Sequence, residues 1–417
     1  MHTIVVKILL ETIQILNISP PDAFTLFRMK LLKQSPFFIC ILLVCFLGTT
    51  CNQSAGKKSS KNSDTSSLHA PDFTFRKLSA HEVAYWNNII NDFYQKNLAP
   101  GFNGSILVAK NGQVVFEKYV GVINFQTNEP ITENSSFHLA SISKTFTGMA
   151  ILKMIEEARL ALDDSLQKFF SFLPYTGITV HMLLDHRSGL PNYLDFMDSV
   201  WDKKRKATNE DVLQFMIVHK PAVQALPDRV FHYCNTNFVL LALILEKITG
   251  QPFPKYMKDS VFVPLGMKNT FVFSIKDTSS YVPTYMGGRP YLMDHLDCTY
   301  GDKNIYSTVD DLLLWDKSLY QHTYINKNLL DLAFTPQSHE TKSMHNYGLA
   351  WRLFKNENES LIYHNGKWHG SNTVFTRVYE DTATIIVLGN KFNRTIYKAK
   401  DIANIFTGKK DSLNLSE

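Results

Sequence analysis

The spacing of apolar positions changes several times along this chain, and each change marks an element. Ser79-Ala80-His81-Glu82 has capping-box spacing, and Val83, Trp86, Ile89, Ile90 and Phe93 recur behind it at helical intervals, which predicts a helix from residue 80. Two strand-like runs follow, 105–110 and 113–118, separated by Asn111-Gly112, the pair that tolerates the positive φ angles of a tight hairpin. Phe146, Met149, Ala150, Leu152 and Ile155 predict a helix over 141–157. A Thr-x-x-Asp cap opens another at 208–219, and a strongly apolar helix over 237–249 stops at Gly250. Two β-rich runs, 371–379 and 382–388, are split by Glu380-Asp381, and 395–406 reads as a closing helix. Strands at both ends with helices between them suggest one antiparallel sheet built from both termini, beside a helical region. Segments 191–207 and 271–300 show no readable period, and the chain has no internal repeat.

The N-terminal region has a different pattern. Residues 37–47 form one apolar run, shorter than the roughly 20 residues that span a bilayer. Lys30 and Lys33 precede it, and Gly48, Thr49 and Thr50 follow, the layout of a secretory signal over 29–50. Met29 starts a signal of ordinary length, so residues 1–28 read as an upstream extension from a misassigned start. Cys51 resembles the lipidated cysteine of a bacterial lipoprotein, preceded by a loose version of its motif. An ordinary signal peptide or an uncleaved anchor is the alternative. Residues 52–71 are rich in Ser, Lys, Asn and Gly and have almost nothing to bury. The expected organisation is therefore a lipidated cysteine with a tether over 51–73 and a folded domain over 74–417, exported and held at a membrane of the cell envelope.

The 417 residues are 45% hydrophobic and 19% charged, enough for a sizeable core, which excludes global disorder. The net charge of +5 is evenly spread and forms no basic stripe, so no nucleic-acid partner is expected. Of five cysteines, only Cys234 and Cys298 lie in the folded part, as a disulfide or as two buried thiols. No CxxC is present, and His181 and His186 lack the Glu of a zinc-protease helix, so no metal is expected. Neither a GxGxxG nor a P-loop occurs, so no cofactor is expected. No obligate protein partner is readable.

One tetrad carries chemistry. Ser141-Ile142-Ser143-Lys144 opens a predicted helix, and i,i+3 spacing puts Ser141 and Lys144 on one face. A helix N-terminus favours negative charge at the serine and disfavours a nearby ammonium, the condition a base lysine needs. Alone the pattern is weak, because it occurs by chance in many helices. Here Tyr233-Cys234-Asn235 precedes the apolar helix, and His364-Asn365-Gly366 sits in a β-like run ahead of the last hairpin.

In this order the three motifs resemble the serine β-lactamase and penicillin-binding-protein superfamily, in its class C-like branch. Leu162-Asp163-Asp164, the stretch from Ile178 to Pro191, Pro264-Leu265-Gly266-Met267, Tyr306-Ser307-Thr308 and Tyr347-Gly348-Leu349-Ala350-Trp351 are similar to further segments of that branch, over about residues 80–405. The resemblance implies an α/β (α+β) fold of the β-lactamase/transpeptidase type, with an antiparallel sheet from both chain ends, flanking helices and a helical subdomain. It implies Ser141 as nucleophile, Lys144 as proton acceptor and Tyr233 as its phenolic partner. Asn235 would hold the lysine and a substrate amide, and the N–H groups of Ser141 and Lys367, the latter following Gly366, would form the oxyanion hole. His364 stands in the slot of a lysine, so carboxylate recognition should weaken. Trp368 lines the acyl pocket or caps the strand. The implied function is a serine hydrolase acting on esters or D-amino-acid peptide-like amides, with peptidoglycan-derived or other small molecules as substrates. A true β-lactamase or D-Ala-D-Ala carboxypeptidase is the alternative, and a catalytically inactive binding relative the second.

Overall fold

The computed structural model describes residues 68–274, 282–356 and 359–408. The expected extension, signal and Cys51 lie outside them. Among the described residues, no helix is long and apolar enough to cross a membrane.

Helix α1 (Ala80–Asn97) carries the expected capping box: the Ser79 hydroxyl accepts from the Glu82 N–H while the Glu82 carboxylate accepts from the Ser79 N–H. Strands β1 (Gly104–Lys110) and β2 (Gln113–Val120) form the predicted hairpin, with Asn111 and Gly112 at positive φ. The middle of the chain supplies α2 (Ser143–Glu156), α3 (Tyr193–Val200), α4 (Asn209–His219), α5 (Asn235–Thr249) and α6 (Val309–Tyr320). The C-terminal part adds β3 (His345–Tyr347), β4 (Arg352–Asn356), β5 (Glu359–Trp368), β6 (Ser371–Val378) and β7 (Ala383–Gly389). These strands form one seven-stranded antiparallel sheet in the order β3-β4-β5-β6-β7-β1-β2, so the two chain ends meet at the β7–β1 pair.

Strand alternation sorts the sheet residues onto two faces. Leu107, Ala109, Phe375, Ile386 and Leu388 face the helical region, whereas Ile106, Val108, Val374, Ile385 and Val387 face α1 and the C-terminal segment. Both faces are covered, which is why Ile385–Leu388 is apolar without alternation. Helix α2 is buried from Ser143 to Met154 and forms the centre of the larger core.

Two details differ from the sequence expectations, and the cysteine alternative is resolved. The chain before α1 is docked rather than free from His69 onward: the His69 N–H donates to the Thr323 carbonyl, and Asp72 pairs with His322 at 2.5 Å. The closing segment is mostly 3-10 helix (Arg394–Ile402), with only Ala403–Thr407 in α-helix. Ile396, Ala399 and Ile402 are buried at intervals of three, the period of a 3-10 turn. Cys234 and Cys298 are both free and buried.

Candidate active site

Ser141, the expected nucleophile, lies where a short strand turns into a helix. Phe137–His138 pairs with Ile305–Ser307, and Ala140–Ile142 then makes one 3-10 turn that runs into α2. Ala140 has φ +49°, a left-handed conformation that costs a non-glycine residue free energy. Fixed contacts hold it. The Ala140 N–H donates to His138 Nδ1 at 3.1 Å, and the other ring nitrogen meets Asn304 Oδ1 at 2.9 Å. Burial, only partly opposed by Asn304, lowers the His138 pKa to about 4, so the ring is a neutral acceptor. The Thr373 hydroxyl donates to the Leu139 carbonyl from β6. Gly366 on β5 packs on the same turn. A Cβ there would stand 2.3 Å from the Leu139 carbonyl oxygen, so only glycine lets the strand close on the nucleophile.

Lys144 is fully buried, and its Nζ has three partners: Ser141 Oγ at 3.2 Å, Asn235 Oδ1 at 2.8 Å and the Asp302 carbonyl at 2.8 Å. The last two can only accept. A neutral amine has two N–H groups and one lone pair, so when those two acceptors are served the lone pair points at the Ser141 hydroxyl. The contact set leaves the remaining position of the amine facing the Ser141 hydroxyl. Asn235 is the first residue of α5, and Asn192 Oδ1 accepts from its backbone N–H at 3.2 Å. Tyr233 lies over the same amine, 5.0 Å from its ring centre. Its ring packs against that of His186 at 4.3 Å, and His186 Nδ1 accepts from the Cys234 N–H. His186 thus orients the phenol.

These groups surround a cavity of about 220 Å³ lined by Ser141, Tyr233, Asn235, Asn365, Gly366, Lys367 and Trp368, with Arg352 on β4 and Asp302-Lys303 completing it. Lys144 lies behind the wall. Of the expected substrate-facing residues, His364 is the exception and is corrected here. Its side chain is 1% exposed and does not line the cavity. Nδ1 bonds the Asn365 carbonyl at 2.8 Å, and Nε2 meets the Tyr347 hydroxyl at 3.2 Å. Burial, with the Arg352 and Lys144 cations nearby, holds its pKa well below the usual histidine range. A guanidinium does line the cavity, that of Arg352, 5.3 Å from the centre of the Tyr233 ring. The motif reading ended at Trp351, and the pairing of Arg352 with Tyr363 across β4–β5 puts the next side chain at the cavity. Asp302 and Lys303 were also missed; they stand between Gly301 and Asn304, with no apolar run beside them to signal burial.

Trp368 lines the cavity rather than only capping β5. Its indole N–H donates to Asp297 Oδ1 at 2.6 Å. Among the described residues, Asp294, Asp297 and His369 bring three potential metal-ligand atoms within 4.8 Å of one another. Here they bond each other, with His369 Nε2 at 3.1 Å from Asp297 and 3.2 Å from Asp294. Burial alone would lower the His369 pKa, but the two carboxylates raise it to about 9.

A serine faced by a buried lysine amine, a phenol over that amine and a glycine-apposed strand beside the serine define an acyl-transferring serine hydrolase. The Beta-lactamase family model matches residues 87–407, and the chain belongs to that family. It is 31% identical over 315 residues to Penicillin-binding protein 4* of Bacillus subtilis, covering 71% of this chain and 70% of that protein. It is 29% identical to Protein flp of Staphylococcus aureus (strain NCTC 8325 / PS 47), covering 73% of this chain but only 62% of that relative's length. Among solved structures, an octameric penicillin-binding protein homologue from Pyrococcus abyssi superposes with a TM-score of 0.67 at 26% identity, over 77% of each chain. A D-amino acid amidase from Ochrobactrum anthropi SV3, complexed with L-phenylalanine amide, shares the fold. Its TM-score is 0.64 at 23% identity, over 78% of this chain and 99% of that one.

Proposed function

We propose that this chain is an exported, membrane-held serine hydrolase that cleaves small D-amino-acid peptide-like amides bearing a carboxylate. Ser141 attacks the substrate carbonyl while its proton passes to Lys144. The oxyanion is received by the N–H groups of Ser141 and Lys367, donors worth about 3–4 kcal/mol each. Tyr233, with Lys144, protonates the leaving amine, and water then releases the acyl group by the same route in reverse. The observation that carries the substrate reading is the Arg352 guanidinium in the cavity wall. It offers the fixed positive charge that His364 lacks. Relatives named as penicillin-binding proteins and a D-amino acid amidase support amides of this kind. Short-chain neutral esters are a second reading, favoured by the small cavity.

The test is a panel of p-nitrophenyl esters, D-amino-acid anilides, a peptide ending in D-Ala and a cephalosporin, with Ser141→Ala as blank. Arg352→Gln should lower kcat/KM on the D-Ala peptide by about 10- to 100-fold, the worth of a hydrogen bond to a charged group, and spare neutral esters. If wild type prefers the esters and Arg352→Gln leaves the ratio unchanged, the carboxylate reading fails and the ester reading stands. Anchoring is tested separately: protein expressed from Met29 in a bacterial host should incorporate labelled palmitate, and Cys51→Ser should not.

A further inference from the structure

We infer that Asp297 sets the substrate-size limit of this enzyme by holding the indole of Trp368 as a fixed wall of the catalytic cavity; the inference rests on the acyl-enzyme reading above. Trp368 is the last residue of β5, two positions beyond the glycine that packs on the nucleophile turn. It is held on its edge, on its face and through its neighbour. On the edge, the indole N–H donates to a carboxylate, Asp297 Oδ1, at 2.6 Å, a charge-assisted bond. On the face, the Lys303 ammonium stands 4.7 Å from a ring centre of the indole. Lys303 is itself tied to Tyr193, at 2.5 Å, and to Thr299. Next in sequence, His369 bonds the same Asp297 oxygen and Asp294, and the Tyr291 ring stacks on it at 5.0 Å.

Asp297 is 3% exposed, and its second oxygen accepts from the Asp294 N–H at 2.7 Å. A swing of Trp368 away from the cavity would break the indole bond and strip a buried carboxylate of its closest partner. The hairpin tip cannot retreat either. A Cβ at Gly370 would stand 2.3 Å from the Tyr285 backbone nitrogen, so the two segments are already in contact. The wall is therefore rigid, and it bounds a cavity of about 220 Å³, below the roughly 300–1,000 Å³ common for ligand pockets. Asp297 touches no substrate; it is a positioning residue that acts through Trp368.

The experiment measures kcat and KM for p-nitrophenyl esters from acetate to octanoate, neutral probes that do not depend on Arg352. Wild type, Trp368→Ala, Asp297→Ala, Asp297→Asn and Trp368→Phe are compared, each with a thermal melt and fluorophosphonate labelling of Ser141. Trp368→Ala and Asp297→Ala should raise the octanoate-to-acetate ratio of kcat/KM by about tenfold or more, chiefly through KM, the scale on which pockets discriminate methylenes. Asp297→Asn keeps one acceptor, which the indole and the Asp294 N–H must share, so its ratio should lie between wild type and Asp297→Ala, and a ratio above that of Asp297→Ala counts against the wall. A folded, labelled Asp297→Ala with an unchanged ratio overturns the inference. If Asp297→Ala does not fold, Trp368→Phe decides, because it keeps a ring but loses the N–H: a raised ratio supports the wall and an unchanged one overturns it. Wild type that does not label at Ser141 overturns the acyl-enzyme reading and this inference with it; failure of the wall alone leaves labelling intact.

Discussion

His364, within β5, and His369, in the turn that follows it, differ in charge state, and the contrast separates the inner wall of the cavity from its rim. His364 is enclosed by a tyrosine hydroxyl and a backbone carbonyl, with two cations nearby, so burial keeps it neutral. His369 lies between Asp294 and Asp297, whose carboxylates outweigh burial and raise its pKa to about 9. Desolvation acts on both; the difference comes from the charge of the neighbours. At the inner wall cations surround a histidine that burial keeps neutral, whereas at the rim two carboxylates surround a histidine and pair with it.

The largest expected effect belongs to the inner wall. Ser141→Ala should reduce hydrolysis to below about 1% of wild type, because nucleophile removal disables the whole unit. It should leave the fold intact, since the hydroxyl's contact with Lys144 is one hydrogen bond worth about 1 kcal/mol. Residual activity above that level in a folded variant would take the nucleophile role from Ser141.

The next test is His364→Lys. An ammonium there would be buried beside Arg352 and Lys144 rather than facing substrate. It should cost about 3 kcal/mol or more, as uncompensated buried charges do, and leave the cephalosporin-to-ester ratio unchanged. A raised ratio with an undiminished Tm would show that this slot faces substrate after all, and the contrast between wall and rim would collapse.

The smallest effect is at the rim and depends on pH. The His369 pKa is raised on folding, from 6.5 to about 9, so its stabilisation is complete below pH 6.5 and is lost as pH rises through about 9. The amount is at most about 3 kcal/mol, from 1.36 kcal/mol per pKa unit. His364 has the opposite sign: its pKa is lowered, so its contribution is lost as pH falls below 6.5. Tm measured between pH 7 and pH 10 should fall less in His369→Gln than in wild type. Equal slopes would mean that the two carboxylates do not hold a charged imidazole.

The inner wall was largely legible because its chemistry is local. Ser141 and Lys144 are three residues apart, Tyr233 and Asn235 two, and the turn and helix start that present them are set by neighbours in sequence. The rim was not legible. Asp297 comes from a stretch without period and meets Trp368 across 71 positions. Arg352 followed a recognised motif, yet nothing in its neighbours told which way its side chain turns. His364 was placed in the right strand but given the wrong exposure, because a motif gives a register and not the depth of a side chain. The closing 3-10 segment was read as α-helix because apolar spacings of three belong to both periods over a short run.

By itself the sequence determined the antiparallel sheet from both chain ends, the buried helix that follows Ser141, and the serine, lysine, tyrosine and asparagine that the fold gathers at one site. Those follow from periodicity, capping and short spacings, which act within a few residues. Only the tertiary structure decided that Arg352 lines the cavity while His364 does not, which histidine carries charge and what holds Trp368. Each of these depends on desolvation and on groups brought together from distant segments, and neither exists until the chain has folded.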